Sequence, residues 1–318
     1  MYVLSKPYFH DEAAAFAHVE SVIWPHGPVC PHCGNVGKMY ALKGVRTKPS
    51  KKNPEGVERH GLYKCAECKK QFTVRVGTIF EESHMPLHKW LQAIHLMCSS
   101  KKGISAHQLH RVLEVQYKTA WFVAHRIREA MRSGELGPMG GDGGVVEVDE
   151  TFIGREPGKP KRRAYHHKMK VLTLVDRETG SARSVVVDDL KPSTIAPILR
   201  ENMAREARLA TDEAGHYLHI GREFAAHGVV RHGREEYVVG EVHTNTIEGY
   251  FSIFKRGMKG VYQHCGKQHL HRYLAEFDFR YNNRIKLGVD DRERAGKALR
   301  GVIGKRLKYG GYCQEESI

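Results

Sequence analysis

The stretch that decides the fold is residues 145–152, with the sequence VVEVDETF. Its run of valines is typical of a β-strand, and this strand carries Asp149 toward its end. A second apolar run, residues 209–212 (LATD), also closes on an acid, Asp212. The sequence therefore predicts two strands that each end in a carboxylate.

Two more charged residues lie downstream on one predicted helix. Glu248 follows Asp212 after 35 intervening residues, and Lys255 follows Glu248 by seven. Seven residues make about two helical turns, so Glu248 and Lys255 share one helix face. Carboxylates from two strand ends and one helix can converge on a pair of divalent metals, which clamp the attacking and leaving oxygens of a phosphodiester. The spacing predicts a DNA-processing enzyme in which Asp149 joins these residues.

The order of the predicted elements indicates the fold class, which is α/β with a mixed sheet. We predict strands 145–152, 169–176 and 181–188, helix 193–206, the strand ending at Asp212, helix 215–227, strand 236–240 and a helix from about Thr246. This order builds an RNase H-like mixed sheet with helices on its faces. In that fold the acids lie on the first strand, just after the fourth strand and on a late helix, which are the places of Asp149, Asp212 and Glu248.

The third metal position has two candidates within residues 243–248, HTNTIE. Glu248 brings the negative charge that matters most against two divalent ions, whereas the Asn245 carbonyl can bind a hard cation without charge. Asn245 could instead cap the helix. Two neighbouring residues are secondary candidates. Glu150 should point to the opposite face of the sheet, and His243 could assist with a proton or a phosphate.

Composition favours a polyanionic partner. Lysine and arginine total 51 against 36 acids in 318 residues, a formal charge of +15, and the pI is near 9.5. Positive charge of this size, arranged in local clusters, indicates that the protein binds nucleic acid. The alternative is a soluble basic protein without such a partner. No apolar run approaches the roughly 20 residues that span a bilayer, the mean hydropathy is -0.51, and no signal-peptide pattern opens the chain. We expect a soluble, cytoplasmic protein.

Four of the seven cysteines form two pairs at metal-ligand spacing. They are Cys30, Cys33, Cys65 and Cys68. Two such turns fit one tetrahedral Zn²⁺ in a zinc ribbon, and four cysteines leave no open position, so the zinc should be structural. The 31 residues between the pairs exceed the usual gap of about 15 to 20, and residues 43–60 read as an extended loop between ribbon strands. The alternatives are two disulfides, which are disfavoured in a reducing compartment, four free thiols, and His32 as a substitute ligand.

Residues 84–133 read as a helical DNA-binding segment. Apolar residues recur at helical spacing from Pro86, and Ser105 with Gln108 forms a capping box. A short turn leads to a last helix over 118–131. The basic residues that should remain outside are Arg111, Lys118, His125, Arg126 and Arg128. The pattern resembles a helix-turn-helix, the alternative being a generic helical connector.

Glycines set the next boundary. Six of them fall within residues 134–144 and predict a flexible linker. The predicted domains are an N-terminal segment with the zinc ribbon (1–80), the helical segment (84–133), the linker (134–144), the RNase H-like catalytic domain (145–290) and a C-terminal tail (291–318).

Phosphate contacts are expected from cations beside the acids. Residues 155–168 lie between the first two strands and hold six lysines and arginines, although a solvated hairpin loop is the alternative. The candidate DNA-binding residues are Arg155, Lys161, Arg162, Arg163, Lys255 and Arg256, together with Arg126 and Arg128 of the helical segment.

With these residues in place, the chain resembles the prokaryotic insertion-sequence transposases of the DDE type that carry an N-terminal zinc ribbon. The resemblance rests on the four cysteines, on residues 148–154 (VDETFIG), on 243–257 from HTNTIE to KRG, and on 269–284, and it spans about residues 20–290. It implies binding to terminal inverted repeats, magnesium-dependent cleavage, and transfer of the freed 3′ hydroxyl into target DNA. Related families have either Asn or Glu at the third position, so Asn245 and Glu248 both stay open.

The sequence hypothesis is therefore a transposase in which Asp149, Asp212 and Glu248 bind two Mg²⁺ ions and Lys255 holds a DNA phosphate, with one structural Zn²⁺ in the ribbon. Synapsis of two ends suggests a homo-oligomer. One rival is a DNA-binding regulator with an inactive catalytic fold. Another is a structure-specific nuclease or resolvase, which would cut branched DNA without preferring element ends. Inverted repeats flanking the coding region would favour the transposase.

Overall fold

The structure, a computed structural model, describes residues 3–51, 53–132, 134, 137–161, 165–230, 238–239 and 242–307. The chain divides into two compact units. Unit 1 comprises residues 1–100, 105–131 and 291–318, and unit 2 comprises 101–104 and 132–290. The domain limits given above stay predictions, but unit 1 draws its elements from both ends of the chain.

The first part of unit 1 is a small antiparallel sheet. Helix α1 (Glu12–Ile23) begins after Asp11, whose carboxylate accepts the Ala14 N–H at 2.7 Å. Strands β1 (Met39–Ala41), β2 (Tyr63–Cys65) and β3 (Gln71–Phe72) follow in the spatial order β1-β2-β3. The long insert between β1 and β2 continues their pairing outward, because Thr47 N donates to Val57 O and Arg59 N to Val45 O, both at 2.8 Å. The residues that make this insert longer than the usual gap thus extend the β1–β2 hairpin.

Four further α-helices belong to the described part of unit 1. They are α2 (Leu87–Ser99), α3 (Ala106–Leu113), α4 (Tyr117–Met131) and α9 (Asp291–Arg300). Ser105 Oγ accepts the Gln108 N–H at 3.1 Å, which confirms the predicted cap of α3. Helix α4 packs against α2, α3 and α9, so neighbours cover most of its sides. In the part of the chain that the structure describes, no helix is both long and apolar enough to cross a membrane.

Unit 2 is built on a five-stranded mixed sheet. Its strands are β4 (Val145–Ile153), β5 (Met169–Asp176), β6 (Ala182–Val187), β7 (Arg208–Asp212) and β8 (Ala226–Val230), in the spatial order β6-β5-β4-β7-β8. The first three strands pair antiparallel, whereas β4 with β7 and β7 with β8 are parallel. This is the RNase H-like order, so the predicted fold class is confirmed.

Helices cover both faces of this sheet. Helices α5 (Pro192–Asn202) and α6 (Tyr217–Ile220) bury one face around Val146, Val148 and Leu174. On the other face lie α7 (Asn245–Gly257) and α8 (Lys267–Asn282), which pack on a cluster that includes Val171 and Val175. A short ribbon of β9 (Val238–Val239) and β10 (Val242–His243) leads into α7.

One predicted element of unit 2 is wrong. Residues 215–227 were expected as one helix, but helix α6 ends at Ile220 and strand β8 begins at Ala226. This segment pairs with β7 instead, where His227 lies opposite Leu209 and its Nε2 lies 2.9 Å from Thr211 Oγ1. Pairing with β7 thus extends a segment whose local sequence suits a helix.

Candidate active site

Asp149 and Asp212 lie at the same level of two neighbouring parallel strands. Asp212 is the last residue of β7, whereas Asp149 lies in the middle of β4, which continues to Ile153 rather than ending at the acid. The β4–β7 register pairs Glu147 with Ala210. Two residues further along each strand come Asp149 and Asp212, so they stand at the same level of the sheet. Both side chains are partly exposed there. In parallel sheets the carboxyl ends of the strands are where ligands bind.

The charges around Asp149 favour binding of a cation at this part of the sheet. Burial raises the pKa of the Asp149 carboxyl, and the negative charges of Glu150 and Asp212 raise it further, to about 7. The Glu150 N–H, which donates to Asp149 Oδ1 at 2.7 Å, and the positive charge of Lys255 act in the opposite direction. Two carboxylates that ionise together only with difficulty form a donor set that a hard divalent cation would stabilise.

The remaining candidates lie on α7, which packs against β4 and β5. Asn245 is the first residue of this helix and Glu248 lies one turn later, and both are exposed. The N-cap is Thr244, whose Oγ1 donates to Glu248 Oε1 at 3.3 Å, so Asn245 is not the capping residue. Lys255 is exposed near the end of the helix, with its Nζ 5.6 Å from the centre of the Phe251 ring.

Glu150 faces the other side of the sheet, as predicted. Tyr217 OH donates to Glu150 Oε2 at 2.6 Å, and His216 Nε2 lies 2.8 Å from Glu150 Oε1. Tyr217 belongs to the core under α5 and α6, whereas Asp149 pairs with Thr173, whose hydroxyl joins Ser184 on the α7 side.

A fully buried acid on β4 escaped the sequence analysis. Glu147 is 0% exposed and contacts Arg177 and the start of α7. The available signal was an acid in the middle of a run of valines, but its partners lie 30 and 100 residues further along the chain, where local pattern cannot find them.

The four cysteines predicted to bind zinc converge in unit 1. Cys30 Sγ lies 3.6 Å from Cys68 Sγ, and Cys33 Sγ lies 3.8 Å from Cys65 Sγ. A tetrahedral zinc with sulfur ligands at about 2.3 Å requires sulfurs about 3.8 Å apart, so the cluster fits a structural Zn²⁺ site. His32 is not part of the cluster; its Nε2 lies 3.4 Å from Gln71 O.

The Cys65 thiol is prepared for metal binding. Burial alone would raise its pKa, but hydrogen bonds from the Asn35 side chain and from the backbone N–H groups of Cys68 and Glu67 outweigh that effect and lower it to about 6. These hydrogen bonds favour the thiolate of Cys65, which is the form that binds zinc.

In the described residues, the four cysteines are the set of potential metal ligands whose donor atoms all lie within 4.8 Å of one another. The ligand atoms of Asp149, Asp212 and Glu248 stand further apart. A site for two metals about 3.5 to 4 Å apart needs a wider ligand set than a single ion does.

The basic residues fall into three groups. Arg155, Lys161 and Arg256 are exposed, with Arg155 donating to Lys159 O and Arg256 to the Ser252 hydroxyl. Arg162 and Arg163 lie outside the described residues.

The third group corrects the sequence analysis. Arg126, Arg128 and His125 were expected on the outside of α4, but they are only 5%, 2% and 1% exposed. Arg126 Nη1 donates to Ile79 O at 2.7 Å and to Glu81 O at 2.8 Å. Such an arginine fixes the loops around α4, and its guanidinium is not available to DNA.

Comparison with known proteins agrees with this arrangement. Residues 142–282 match the family described as ISXO2-like transposase domain, and residues 10–71 match the transposase zinc-ribbon domain. The chain is 27% identical over 294 residues to the "uncharacterized protein in transposable element ISH50" of Halobacterium salinarum, covering 86% of this chain and 91% of that protein.

Two solved structures are also similar. A chain of the simian T-cell lymphotropic virus intasome bound to the PP2A regulatory subunit B56 gamma matches with a TM-score of 0.29 and 13% identity, over 60% of this chain and 65% of that one. The Drosophila P element transposase strand transfer complex matches with a TM-score of 0.27 and 10% identity, over 69% of this chain and 64% of that one. The match spans just under two thirds of each of those chains.

Proposed function

Because the chain belongs to the IS1595 family of DDE transposases with an N-terminal zinc ribbon, we propose that it is an active DNA transposase. It would cleave the ends of its insertion sequence and transfer the freed 3′ hydroxyl to target DNA. The observation that carries this proposal is the pair Asp149 and Asp212 at one level of two adjacent parallel strands, with the pKa of Asp149 raised to about 7.

The residues that would hold two Mg²⁺ are Asp149, Asp212 and a third ligand from α7. Glu248 is our first choice for that ligand, because a third charge balances two divalent ions better than the Asn245 carbonyl does. The bound ions would activate water for end cleavage and the 3′ hydroxyl for strand transfer, both by in-line attack on phosphorus. Lys255, which lowers the pKa of Asp149 through its positive charge, would hold a DNA phosphate beside the acids.

Other parts of the chain would bind DNA and fix its register. Arg155, Lys161 and Arg256 are exposed cations of unit 2 that suit backbone phosphates, and Arg162 and Arg163 belong to the same basic stretch of sequence. The zinc ribbon and the helices of unit 1 would recognise the terminal inverted repeats. Since each transposition joins two ends, the working form would be at least a dimer.

The test is an end-cleavage and strand-transfer assay. It uses purified zinc-loaded protein, Mg²⁺ and a duplex that carries the terminal repeat found beside the coding region. Asp149→Ala, Asp212→Ala, Glu248→Ala and Asn245→Ala are compared with wild type. Glu223→Gln is the matched control, because Glu223 is an acid of the same unit whose contact is a surface pair with Arg200 at 2.7 Å.

We expect wild type and the control to cut and join the DNA, and the three acid variants to bind it without reaction. Loss of activity in Asn245→Ala together with survival of Glu248→Ala would move the third ligand to Asn245. Binding without any Mg²⁺-dependent cutting would refute the proposal in favour of a regulator. Cutting of branched DNA with no preference for the repeat would refute it in favour of a resolvase.

A further inference from the structure

Glu147 is a completely buried carboxylate in the middle of β4, two residues before Asp149. Its side chain is 0% exposed. Removing a carboxylate from water is unfavourable by several kcal/mol unless partners satisfy it. The partners of Glu147 therefore indicate what this residue is for.

These partners all belong to the segment that starts α7 or to the arginine beside it. Arg177 Nε lies 2.6 Å from Glu147 Oε1, and Ile247 N donates to Oε2 at 2.9 Å. His243 Nδ1 lies 3.2 Å from Oε1. Arg177 also ties the same segment down, because its Nη2 donates to His243 O at 2.5 Å while its own N–H donates to Val145 O at 3.0 Å.

The bond to Ile247 replaces the usual N-terminal cap of a helix. The first N–H groups of any helix lack partners within the helix, and a side chain of the N-cap residue normally accepts one of them. In α7 the N-cap Thr244 makes no such bond, and its hydroxyl donates to Glu248 instead. Glu147 supplies the missing acceptor from a neighbouring strand, and its negative charge suits the positive end of the helix dipole.

This arrangement couples the two halves of the candidate active site. Side chains alternate along a strand, so Glu147 and Asp149 point to the same face of the sheet. One strand thus carries Asp149 and also fixes the helix turn that carries Asn245 and Glu248. We propose that Glu147 and Arg177 form a positioning pair that sets the distance between Asp149 and the third metal ligand. The proposal rests on the function proposed above.

Hydrogen exchange of residues 243–251, measured by mass spectrometry without divalent metal or DNA, tests the pair directly. Glu147→Leu removes the acceptor, so we expect the Ile247 amide to exchange about tenfold faster or more, the loss of one hydrogen bond to a charged group. Glu147→Gln keeps an acceptor oxygen and should restore much of the protection. This conservative variant also serves if the leucine variant folds poorly.

The matched control is Glu276→Gln. Glu276 is also 0% exposed and belongs to unit 2, but it pairs with Arg280 one turn along its own helix and with Tyr262. Its replacement should destabilise unit 2 without selectively speeding exchange at Ile247. Equal exchange at Ile247 in Glu147→Leu and Glu276→Gln would overturn the anchoring role.

Mn²⁺ affinity, measured by electron paramagnetic resonance with Asp149→Asn as the blank, tests the link to the metal site. We expect Glu147→Leu to weaken Mn²⁺ binding about tenfold and to lower end cleavage, with binding of the repeat duplex unchanged. Faster exchange at Ile247 with unaltered Mn²⁺ affinity and cleavage would overturn the positioning proposal alone. A wild type that binds no more Mn²⁺ than Asp149→Asn and does not cleave would overturn the proposed function and the positioning role together.

Discussion

Asp149→Asn should stabilise unit 2 at alkaline pH when divalent metal is absent. The folded pKa of Asp149 is about 7, above its ordinary value of 3.8. The folded protein therefore holds a proton that the unfolded chain releases, and stability is lost as the pH rises from about 4 to 7. Since one unit of pKa corresponds to about 1.4 kcal/mol, the fully ionised carboxylate destabilises the fold by about 4 kcal/mol.

The part of this loss that falls between pH 5 and pH 8 is about 2.5 kcal/mol. The difference in unfolding free energy between Asp149→Asn and wild type should therefore widen by that amount across this range. Saturating Mg²⁺ should reverse the ranking, because the ionised aspartate is then the stable form and asparagine binds the ion poorly.

Unfolding of unit 2 is best followed by hydrogen exchange of β5 along a urea gradient. Tryptophan fluorescence would report on unit 1, which contains Trp24, Trp90 and Trp121. Magnesium is left out of the buffer, and no chelator is added, so that the ribbon keeps its zinc. Parallel stability curves for the two proteins from pH 5 to 8 would refute the argument that repulsion and burial oppose ionisation at this position.

Three further outcomes follow from contacts described above. Cys65→Ser should reduce zinc, measured by metal analysis, from about one ion per chain to nearly none, whereas replacement of Cys98, a buried cysteine outside the cluster, should leave zinc unchanged. Arg126→Ala should destabilise unit 1 by about 3 kcal/mol in thermal unfolding, because it leaves buried carbonyl groups without donors; a change below about 0.5 kcal/mol would contradict the buried placement. Gly257→Ala should destabilise unit 2 by about 2 kcal/mol in urea, since a methyl group there would collide with the Phe277 ring and come within 2.7 Å of Lys102 O, whereas Gly249→Ala on the same helix meets open space and should be neutral or stabilising.

Much of the sheet could be predicted because the local sequence of its strands carries a clear strand signal. Strands β4, β5 and β6 are runs of apolar and β-branched residues, and their predicted bounds differ from the structure by one residue or less at each end. The order of strands and helices then fixed the fold class. Strand β8 failed this reasoning, because its extended form depends on pairing with β7 and its own sequence, AHGVV, carries little strand signal.

The misplaced arginines of α4 show a second limit of local pattern. Helical periodicity assigned Arg126 and Arg128 to an outer face, which is correct for a helix with one covered side. Helix α4 is instead surrounded, and one of its neighbours is α9, which lies about 170 residues further along the chain. Periodicity describes the faces of a helix but not which faces later parts of the chain will cover.

For the candidate site, the sequence predicted the residues and the helix or strand that carries each of them. It did not predict the contacts between those elements. The local sequence pattern alone places Asp149 on the first strand of the sheet and Asp212 at the end of another strand. The anchoring of α7 by Glu147 depends on Ile247, 100 residues away, and on the exclusion of water from a carboxylate. Hydropathy would assign such an acid to the surface.

Unit 1 is assembled from segments at both ends of the chain, which affects how the protein folds during synthesis. Helix α9 packs against α1 and α2, and Arg294 Nη1 donates to Cys98 O at 2.8 Å. A ribosome that adds about 5 to 20 residues each second needs roughly 8 to 30 seconds for the residues between α4 and α9. During that interval the nascent chain holds an N-terminal unit that still lacks one helix, while unit 2 has everything it needs to fold. A product released before α9 would thus join a complete unit 2 to a unit 1 that lacks one helix, and incompletely folded chains of this kind are handled by chaperones and proteases.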